Sequence, residues 1–248
     1  MQAVAVLVER AVVERAAAFK KEKTMSRVLV IGDCHAPYMD KRYPKFLTSI
    51  QQQWQTNRTV MIGDLVDWSS ISFHNPKAPA LKNSEREFAD AMEQVQEIYS
   101  RFPKAEWLVG NHDALTERQA LDVGLPSIVL RDYSKLWDVP RWEVYPRFHD
   151  LIIDDVIYRH GDKGKGGAMP AFANAQSEFM SVVQGHFHAV GGMMFGANRR
   201  TRYFGLQVGC GINETKAAFQ YSKKFARRPV LGCGVVIDGV PVFEPMPL

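Results

Sequence analysis

The sequence predicts an α/β fold, and three observations support this prediction. Short apolar runs recur along the 248-residue chain, and most of them end at a glycine followed by aspartate, asparagine or histidine. Segments with helical spacing lie between several of these runs. Past Trp142 the pattern changes to pairs of strands around short polar turns such as Asp238-Gly239. An apolar run ending at such a glycine is typical of a buried strand that releases its next residues into a loop.

The chain is predicted to hold one main domain after a short extension. Residues 4–19 are rich in helix formers, and the charges among them rule out the apolar core of a signal peptide. We therefore predict a helical extension over residues 1–24 and a main domain over residues 25–248. Ligand-type residues are spread from Asp33 to His188, so both halves of the main domain must meet at one site.

Within the main domain, strands and helices are predicted to alternate. The predicted strands are Val28–Ile31, Val60–Ile62, Trp107–Val109, Leu151–Ile153, Val156–Arg159, the short run Val182-Val183, Val235–Ile237 and Val240–Phe243. The predicted helices are Tyr43–Gln55, a helix that starts at Asn83 and runs past Tyr99, Leu115–Leu121 and Ala168–Phe179. Asn83 is predicted to cap its helix because a short polar acceptor precedes the acidic first turn.

Composition excludes several classes of protein. Hydrophobic residues make up 46% of the chain and charged residues 23%, as is usual for a soluble domain. No apolar stretch is long enough to cross a bilayer, so we expect no membrane partner. The three cysteines, Cys34, Cys210 and Cys233, show no C-x-x-C spacing. This argues against a disulfide framework or a zinc ribbon and favours a cytoplasmic protein, with Cys34 as a core residue.

Five of the seven histidines lie in short Gly/Asp/Asn segments that follow apolar runs. These segments are Gly32-Asp33-Cys34-His35, Gly63-Asp64-Leu65-Val66-Asp67, Gly110-Asn111-His112-Asp113, His160-Gly161-Asp162 and Gly185-His186-Phe187-His188. Carboxylate, imidazole and amide oxygen form a mixed set of ligands that suits divalent metals of intermediate hardness. The pattern therefore predicts a two-metal hydrolase. His74 and His149 match no segment, and we expect them in loops or on the surface.

This ordered set of motifs resembles the calcineurin-like metallophosphoesterase superfamily over roughly residues 27–243. The resemblance implies a four-layer α/β/β/α sandwich of two mixed β-sheets flanked by helices, with two metals at the strand ends. Its metal-binding roles fall on seven residues of this chain. Asp33, His35 and His188 would hold one metal, Asn111, His160 and His186 the other, and Asp64 would bridge them. The compact chain is similar to phage or bacterial stand-alone members.

The resemblance also implies a mechanism. Two divalent ions about 3.5–4 Å apart hold a bridging hydroxide that attacks phosphorus directly, without a covalent enzyme intermediate. His112 is the implied catalytic imidazole, oriented by Asp113, and Asp67 supports the ligands without binding metal. Mn²⁺ is the expected cofactor, with Fe, Zn, Ni or Co as alternatives.

Two positions depart from the pattern of the family's Ser/Thr protein phosphatases. Trp68 stands where those enzymes have an arginine that contacts phosphate, and Asp113 stands where they have a glutamate. Both differences argue against a protein phosphatase. They leave open a phosphomonoesterase, a phosphodiesterase and a nuclease, each with a phosphate ester as substrate.

Basic residues are concentrated between Gly196 and Val230, where Glu214 is the only acid. They are Arg199, Arg200, Arg202, Lys216, Lys223, Lys224, Arg227 and Arg228. They form either a solvated rim or a positive surface that attracts nucleic acid. The leading hypothesis is a metal-dependent phosphoesterase, and the alternative is a DNA or RNA nuclease of the same superfamily. A non-catalytic scaffold is disfavoured because every ligand and His112 are present.

Residues 162–167, Asp-Lys-Gly-Lys-Gly-Gly, are rich in glycine but lack the spacing of a phosphate-binding P-loop. We expect a mobile loop that carries two lysines near His160 and contacts substrate.

Overall fold

The computed structural model describes residues 26–73, 83–213, 215 and 228–247. The predicted extension over residues 1–24 lies outside the described residues. The same is true of His74, Lys216, Lys223, Lys224 and Arg227.

Strands and helices largely alternate in the first half of the described residues, and strands dominate the second half. The strands are β1 (Arg27–Ile31), β2 (Arg58–Met61), β3 (Glu106–Leu108), β4 (Glu143–Tyr145), β5 (Leu151–Ile153), β6 (Val156–Arg159), β7 (Ser181–Gln184), β8 (Gly191–Ala197), β9 (Arg202–Val208), β10 (Gly232–Ile237) and β11 (Val240–Pro245). The helices are α1 (Tyr43–Trp54), α2 (Ser84–Arg101), α3 (Leu115–Asp122), α4 (Tyr133–Leu136) and α5 (Pro170–Glu178). Short 3₁₀ turns occur at Ser69–Ile71 and Ser127–Val129.

The strands are divided between two mixed sheets. The first sheet has the order β11-β10-β1-β2-β3-β4, in which β1 to β4 are parallel and β10 and β11 are antiparallel additions. The second has the order β5-β6-β7-β9-β8, with β6, β7 and β9 parallel and an antiparallel strand at each edge. The predicted hairpin turn at Asp238-Gly239 joins β10 to β11, and both residues have positive φ, as tight hairpin turns require.

The sheets pack face to face through alternate residues of their strands. Val30 of β1 lies in an apolar cluster with Val183 of β7 and Leu206 of β9. Its neighbour Leu29 points to the opposite face and packs in a second cluster with Leu47 of α1. This alternation follows from the two-residue period of a strand and buries both faces of the first sheet.

On its outer face the second sheet is covered by α5. Ile157 of β6 and Val182 of β7 pack there against Ala175 of the helix. The predicted four-layer α/β/β/α sandwich of two mixed sheets is therefore confirmed.

Most predicted elements lie within two residues of their observed bounds. The Asn83 side chain accepts a hydrogen bond from the Arg86 amide at 2.9 Å, so Asn83 caps α2 as predicted. Helix α5 begins two residues later than expected, at Pro170, because proline fits the first helical turn, where its missing N–H is not needed. The strand prediction missed β4, β8 and β9, which carry no motif glycine at their ends.

Across the described ranges, the structure contains no helix of the length and apolarity needed to cross a bilayer.

The contact between the sheets predicts a large cost for truncating Leu206, which is 0% exposed. Leu206→Ala should lower the free energy of unfolding by about 2–5 kcal/mol because it leaves a cavity in the inter-sheet core. Leu121→Ala on α3 is the matched control, since Leu121 is 55% exposed, and should change it by about 0.5 kcal/mol or less. Urea denaturation measures both, and equal losses would contradict this account of the core.

Candidate metal centre

The candidate site lies where parallel strands of both sheets end. Asp33 follows β1, Asp64 follows β2 and Asn111 follows β3 in the first sheet. In the second sheet, His160 follows β6 and His186 comes shortly after β7. Because the carboxyl ends of parallel strands share one edge, each sheet presents its polar residues at one end of the sandwich.

Hydrogen bonds donated by backbone amides hold these loops against one another. The His35 amide donates to the carbonyl oxygen of Asp64 at 2.9 Å, which joins two loops of the first sheet. The His186 amide donates to the Asp33 carboxylate at 3.0 Å, which joins the two sheets. Hydrogen bonds within the protein itself therefore hold these loops in place.

Four of the predicted ligands form a first donor group: Asp33, His35, Asp64 and His188. One ligand atom from each lies within 4.8 Å of the others. The Nε2 atoms of His35 and His188 are 3.0 Å apart, and His188 Nε2 is 3.4 Å from Asp33 Oδ1. His35 Nε2 lies 3.7 Å from Asp64 Oδ2.

A second donor group contains Asp64, His160 and His186, again within 4.8 Å. His160 Nε2 is 3.2 Å from Asp64 Oδ2 and 3.0 Å from Asn111 Oδ1, so Asn111 adjoins this group. Asp64 belongs to both groups. The structure thus brings together all seven predicted metal ligands, with Asp64 in the shared position.

Two histidines are oriented by hydrogen bonds on the far side of the ring. His35 Nδ1 lies 2.7 Å from the Asp67 carboxylate, and His160 Nδ1 lies 3.0 Å from the carbonyl oxygen of Ile62. Since both partners are acceptors, each Nδ1 carries the hydrogen, and this assignment leaves the Nε2 lone pair for the cluster. Such an arrangement is typical of metal-binding histidines.

The donor chemistry fits divalent cations. With the hydrogen on Nδ1, His160 Nε2 faces the oxygen atoms of Asp64 and Asn111. The lone pairs of these three atoms repel one another unless a proton or a cation lies between them. Burial lowers the pKa of His160, but the Asp64 carboxylate outweighs this effect and raises the pKa to about 10. The negative electrostatic potential of Asp64, which stabilises a proton on His160, would also stabilise a metal cation beside it.

Two motif glycines make the close packing of these side chains possible. A Cβ atom at Gly63 would lie 2.4 Å from His160 Nδ1, and one at Gly110 would lie 2.3 Å from Asp64 Oδ1. Real Cβ atoms do not approach so closely, so alanine at either position would displace a predicted ligand.

Several ligand positions have a left-handed backbone. The φ angles are 48° at Asp33, 49° at His35, 50° at Asp64 and 68° at His186. This conformation is uncommon for residues other than glycine and recurs at functional sites, where surrounding contacts maintain it.

His112 lies beside the cluster and is more accessible than Asp33, His35 and Asp64, with 31% of its side chain exposed. Its Nδ1 is 2.7 Å from the carbonyl oxygen of Asp67 and 3.4 Å from the Asp67 carboxylate. Its amide donates to Asp64 Oδ1 at 2.8 Å. Burial lowers the pKa of His112, but Asp64 and Asp67 outweigh this effect and raise the pKa above its usual value.

The structure differs from the sequence prediction for Asp113. This carboxylate does not orient His112. Instead it accepts hydrogen bonds from the Val66 and Gly110 amides and from Trp107 Nε1, at 3.0, 2.8 and 3.2 Å. Burial and the nearby Asp64 raise the pKa of Asp113 to about 7. Asp67 takes the orienting position, and Asp113 joins the loops after β2 and β3.

The departure at Trp68 has a structural explanation. Its ring stacks on Phe88 with centroids 6.1 Å apart and lies 5.6 Å from the ring of Trp137. Trp68 is 7% exposed. The position occupied by a phosphate-contacting arginine in the family's protein phosphatases therefore belongs to the apolar core here.

Arg118 is a residue that the sequence analysis did not identify. It lies on α3, its guanidinium donates to the carbonyl oxygen of Asn111 at 3.4 Å, and it also lies over the ring of Phe73. No motif marks it, because its contact with Asn111 arises from the turn that leads into α3.

The remaining predictions concern residues away from the cluster. Cys34 is buried in the helix-facing core, as expected. His149 stacks on Tyr145 with centroids 4.6 Å apart, away from the donor groups. Of the predicted basic surface, Arg199 and Arg200 are exposed between β8 and β9, while half of its members lie outside the described residues.

Comparison with known proteins identifies a family. The sequence profile described as "Calcineurin-like phosphoesterase" matches residues 26–190, about two thirds of the chain. No curated protein shows significant sequence similarity to the chain.

Solved structures with similar folds include vacuolar protein sorting 29 from Cryptosporidium parvum, the phosphoesterase YfcE from E. coli and TT1561 from Thermus thermophilus. Their sequence identities to this chain are 14%, 11% and 10%, with TM-scores of 0.42, 0.41 and 0.39. The alignments cover 89%, 87% and 90% of this chain and 96%, 90% and 99% of those chains. At these values the family assignment depends on the sequence profile alone.

The shared position of Asp64 predicts that one substitution weakens metal binding by both donor groups. Asp64→Asn keeps the shape of the side chain but removes its charge, so the affinity for Mn²⁺ at both sites should fall by more than about 100-fold. Asp150→Asn is the matched control, because Asp150 pairs with Arg159 at the surface. Titration calorimetry measures both variants. If Asp64→Asn still bound two equivalents with native affinity, Asp64 would not be the shared ligand.

The contacts of Asp113 predict a loss of stability in Asp113→Asn. The new amide group cannot accept hydrogen bonds from Gly110 and Trp107 in place of the lost carboxylate oxygen. The free energy of unfolding should therefore fall by about 2–3 kcal/mol. Urea denaturation of the metal-free variant measures this loss, and unchanged stability would contradict the assignment of Asp113 as the link between these loops.

Proposed function

The chain belongs to the calcineurin-like phosphoesterase family, and we propose that it is a metal-dependent hydrolase of phosphate mono- or diesters. One observation carries the proposal: the Asp64 carboxylate belongs to two donor groups that meet at the strand ends. A carboxylate in this shared position would offer its negative charge to two cations at once, and Asp64 Oδ2 faces both His35 and His160.

Each cation would be held by residues of one donor group. Asp33, His35 and His188 would hold the first, Asn111, His160 and His186 the second, and Asp64 would contribute to both. When bound, two such ions supply Lewis acidity, which activates coordinated water and offsets the charge of a phosphoryl group. Mn²⁺ is proposed, with Fe, Zn, Ni or Co as alternatives.

His112 is proposed to donate a proton to the leaving oxygen. Its Nδ1–H donates to the Asp67 carbonyl, so Nε2 is the atom that serves the substrate. The charged form is favoured by Asp64 and Asp67, and a protonated imidazole beside the phosphoryl group is suited to general acid catalysis. Its partial exposure lets it reach a substrate, whereas Asp33, His35 and Asp64 are buried.

The other residues around the cluster position it. Asp67 accepts from His35 and, through its carbonyl, from His112, so one residue orients a ligand and the proton donor together. Asn111 contributes a neutral oxygen, which limits the negative charge that faces an anionic substrate.

A nuclease of the same superfamily is the alternative function. The exposed arginines Arg199, Arg200 and Arg202 near the turn between β8 and β9 support it, since positive surfaces attract polynucleotides. The complete donor set disfavours a non-catalytic scaffold.

Hydrolysis assays test the proposal. The wild type should hydrolyse bis-p-nitrophenyl phosphate or p-nitrophenyl phosphate when Mn²⁺ is added. His112→Ala should retain two metal equivalents and lower kcat by about 10²–10⁴-fold, because it removes the proton donor. His149→Ala, which alters a histidine outside the cluster, should leave kcat unchanged.

Two outcomes would contradict the proposal. A folded wild type that hydrolyses neither ester with any of the five metals would argue against the enzyme class. Near-native activity in His112→Ala would reassign the proton donor.

A further inference from the structure

The segment Asp162–Gly167, called the lysine loop below, follows directly from the predicted ligand His160. The sequence predicts a mobile loop that contacts substrate, and in the structure its backbone forms hydrogen bonds with Asn174 of α5. Asn174 Oδ1 accepts from the Lys165 amide at 2.9 Å, and its Nδ2 donates to the Lys165 carbonyl at 3.4 Å. The loop is therefore fixed at the residue that carries one of its two charges.

Asn174 is the first member of a buried chain of three amides. Its Nδ2 also donates to Gln184 Oε1 at 2.9 Å, and Gln184 Nε2 donates to Gln207 Oε1 at 3.3 Å. Gln207 Nε2 in turn donates to the carbonyl oxygen of Gly185. All three amide side chains are at most 3% exposed. The chain thus connects the lysine loop to the residue that precedes His186.

Two glycines of the lysine loop allow close packing against Asn174 and Phe187. A Cβ at Gly164 would lie 2.5 Å from Asn174 Oδ1, and the φ angle there is +125°, so glycine is needed for this approach. A Cβ at Gly166 would lie 3.6 Å from the ring of Phe187, and that ring packs edge-on against His186 with centroids 4.9 Å apart. The lysine loop is therefore adjacent to the second donor group, through His160 in sequence and through Phe187 in space.

The positive charges of the lysine loop are not neutralised by acidic side chains of the described residues. Lys163 and Lys165 are exposed, and neither has an acidic partner among the described residues. Asp162 is engaged elsewhere, in an ion pair with Arg147 at 2.7 Å. Two cations that lie two residues apart on a hydrogen-bonded backbone repel each other and attract an anion from solution.

We propose that the lysine loop binds a second phosphate group of the substrate, adjacent to the phosphoester that is hydrolysed. This inference rests on the proposed function and narrows it to substrates with two neighbouring phosphates. A small bisphosphorylated nucleotide and a polynucleotide share this chemistry.

A matched pair of esters tests the proposal. The p-nitrophenyl ester of thymidine 5′-phosphate is compared with the same ester carrying a 3′-phosphate, so that the two substrates differ only by the second phosphate. The wild type should prefer the 3′-phosphorylated ester by about tenfold in kcat/KM, through a lower KM, as expected of two partly screened charges. Lys163→Ala/Lys165→Ala should lose this preference and keep its activity toward the simpler ester.

The control variant removes two charges from the opposite end of the first sheet. Lys104 and Arg141 line a cleft of about 400 Å³ at the amino ends of β2 to β4. Lys104→Ala/Arg141→Ala should keep the full preference. No preference in the wild type, or equal preferences in the wild type and the lysine double variant, would overturn the proposal.

A binding measurement separates this proposal from the proposed function. Metal-free protein is titrated with thymidine 3′,5′-bisphosphate and with thymidine 5′-phosphate. The bisphosphate should bind about tenfold more tightly, and the difference should vanish in Lys163→Ala/Lys165→Ala. If the wild type hydrolysed neither ester, this difference would still support the second-phosphate site, and its absence would reject it.

Asn174 is inferred to be a positioning residue for the loop. Asn174→Leu removes the hydrogen bonds to Lys165 together with the one to Gln184 Oε1, and it keeps both lysines. It should raise KM for the 3′-phosphorylated ester without changing kcat, and it should leave KM for the simpler ester unchanged. Equal changes for both esters would indicate a purely structural role and contradict this assignment.

Competition distinguishes the two sources of the second phosphate. Thymidine 3′,5′-bisphosphate and a thymidine decamer are compared as inhibitors of ester hydrolysis. Stronger inhibition by the decamer, lost in the lysine double variant, would indicate a polynucleotide substrate. Stronger inhibition by the bisphosphate, lost in the same variant, would indicate a small nucleotide. Inhibition that does not depend on the lysines would contradict the proposal.

Discussion

The arrangement of this end of the molecule depends on the two oxygens of Asp64. Its Oδ1 accepts from the His112 amide, and its Oδ2 faces both His35 and His160. A carboxylate buried to this extent is costly unless positive charge surrounds it. His160 and His112 supply part of that charge and hold the pKa of Asp64 well below its usual value despite burial. The other groups in the cluster are arranged around this requirement.

The loops after the strands adopt an unfavourable backbone conformation that brings the ligand residues close to Asp64. The left-handed backbone at Asp33, His35, Asp64 and His186 turns each loop sharply toward the cluster. Each such conformation costs about 1–2 kcal/mol for an ordinary residue, so other contacts must maintain it. The contact between the sheets and the hydrogen bond from His186 to Asp33 provide them. The packed sandwich thus stabilises loop conformations that are unfavourable for the isolated loops.

The sequence predicted what depends on local pattern. Residues that follow apolar runs were brought together as expected, because strand ends of one sheet share an edge, and the cap at Asn83 was predicted from its neighbours. The roles of Asp113 and Asn174 could not be predicted in this way. Their partners include Val66, 47 residues away, and a backbone group of a loop fixed by tertiary contacts. Hydrogen-bond partners at such separations depend on how loops pack, which no single segment encodes.

The glycines of the site have a consequence for protein engineering. Gly63 accommodates His160, Gly110 accommodates Asp64, and a Cβ at Gly185 would lie 2.3 Å from Asp33 Oδ2. In every case the accommodating residue and the accommodated one belong to different loops. A chimera that takes one loop from a relative would bring in a ligand side chain without the glycine of the other loop, which leaves space for it. Grafting should therefore move interlocking partners together, for instance the segments after β2 and β6.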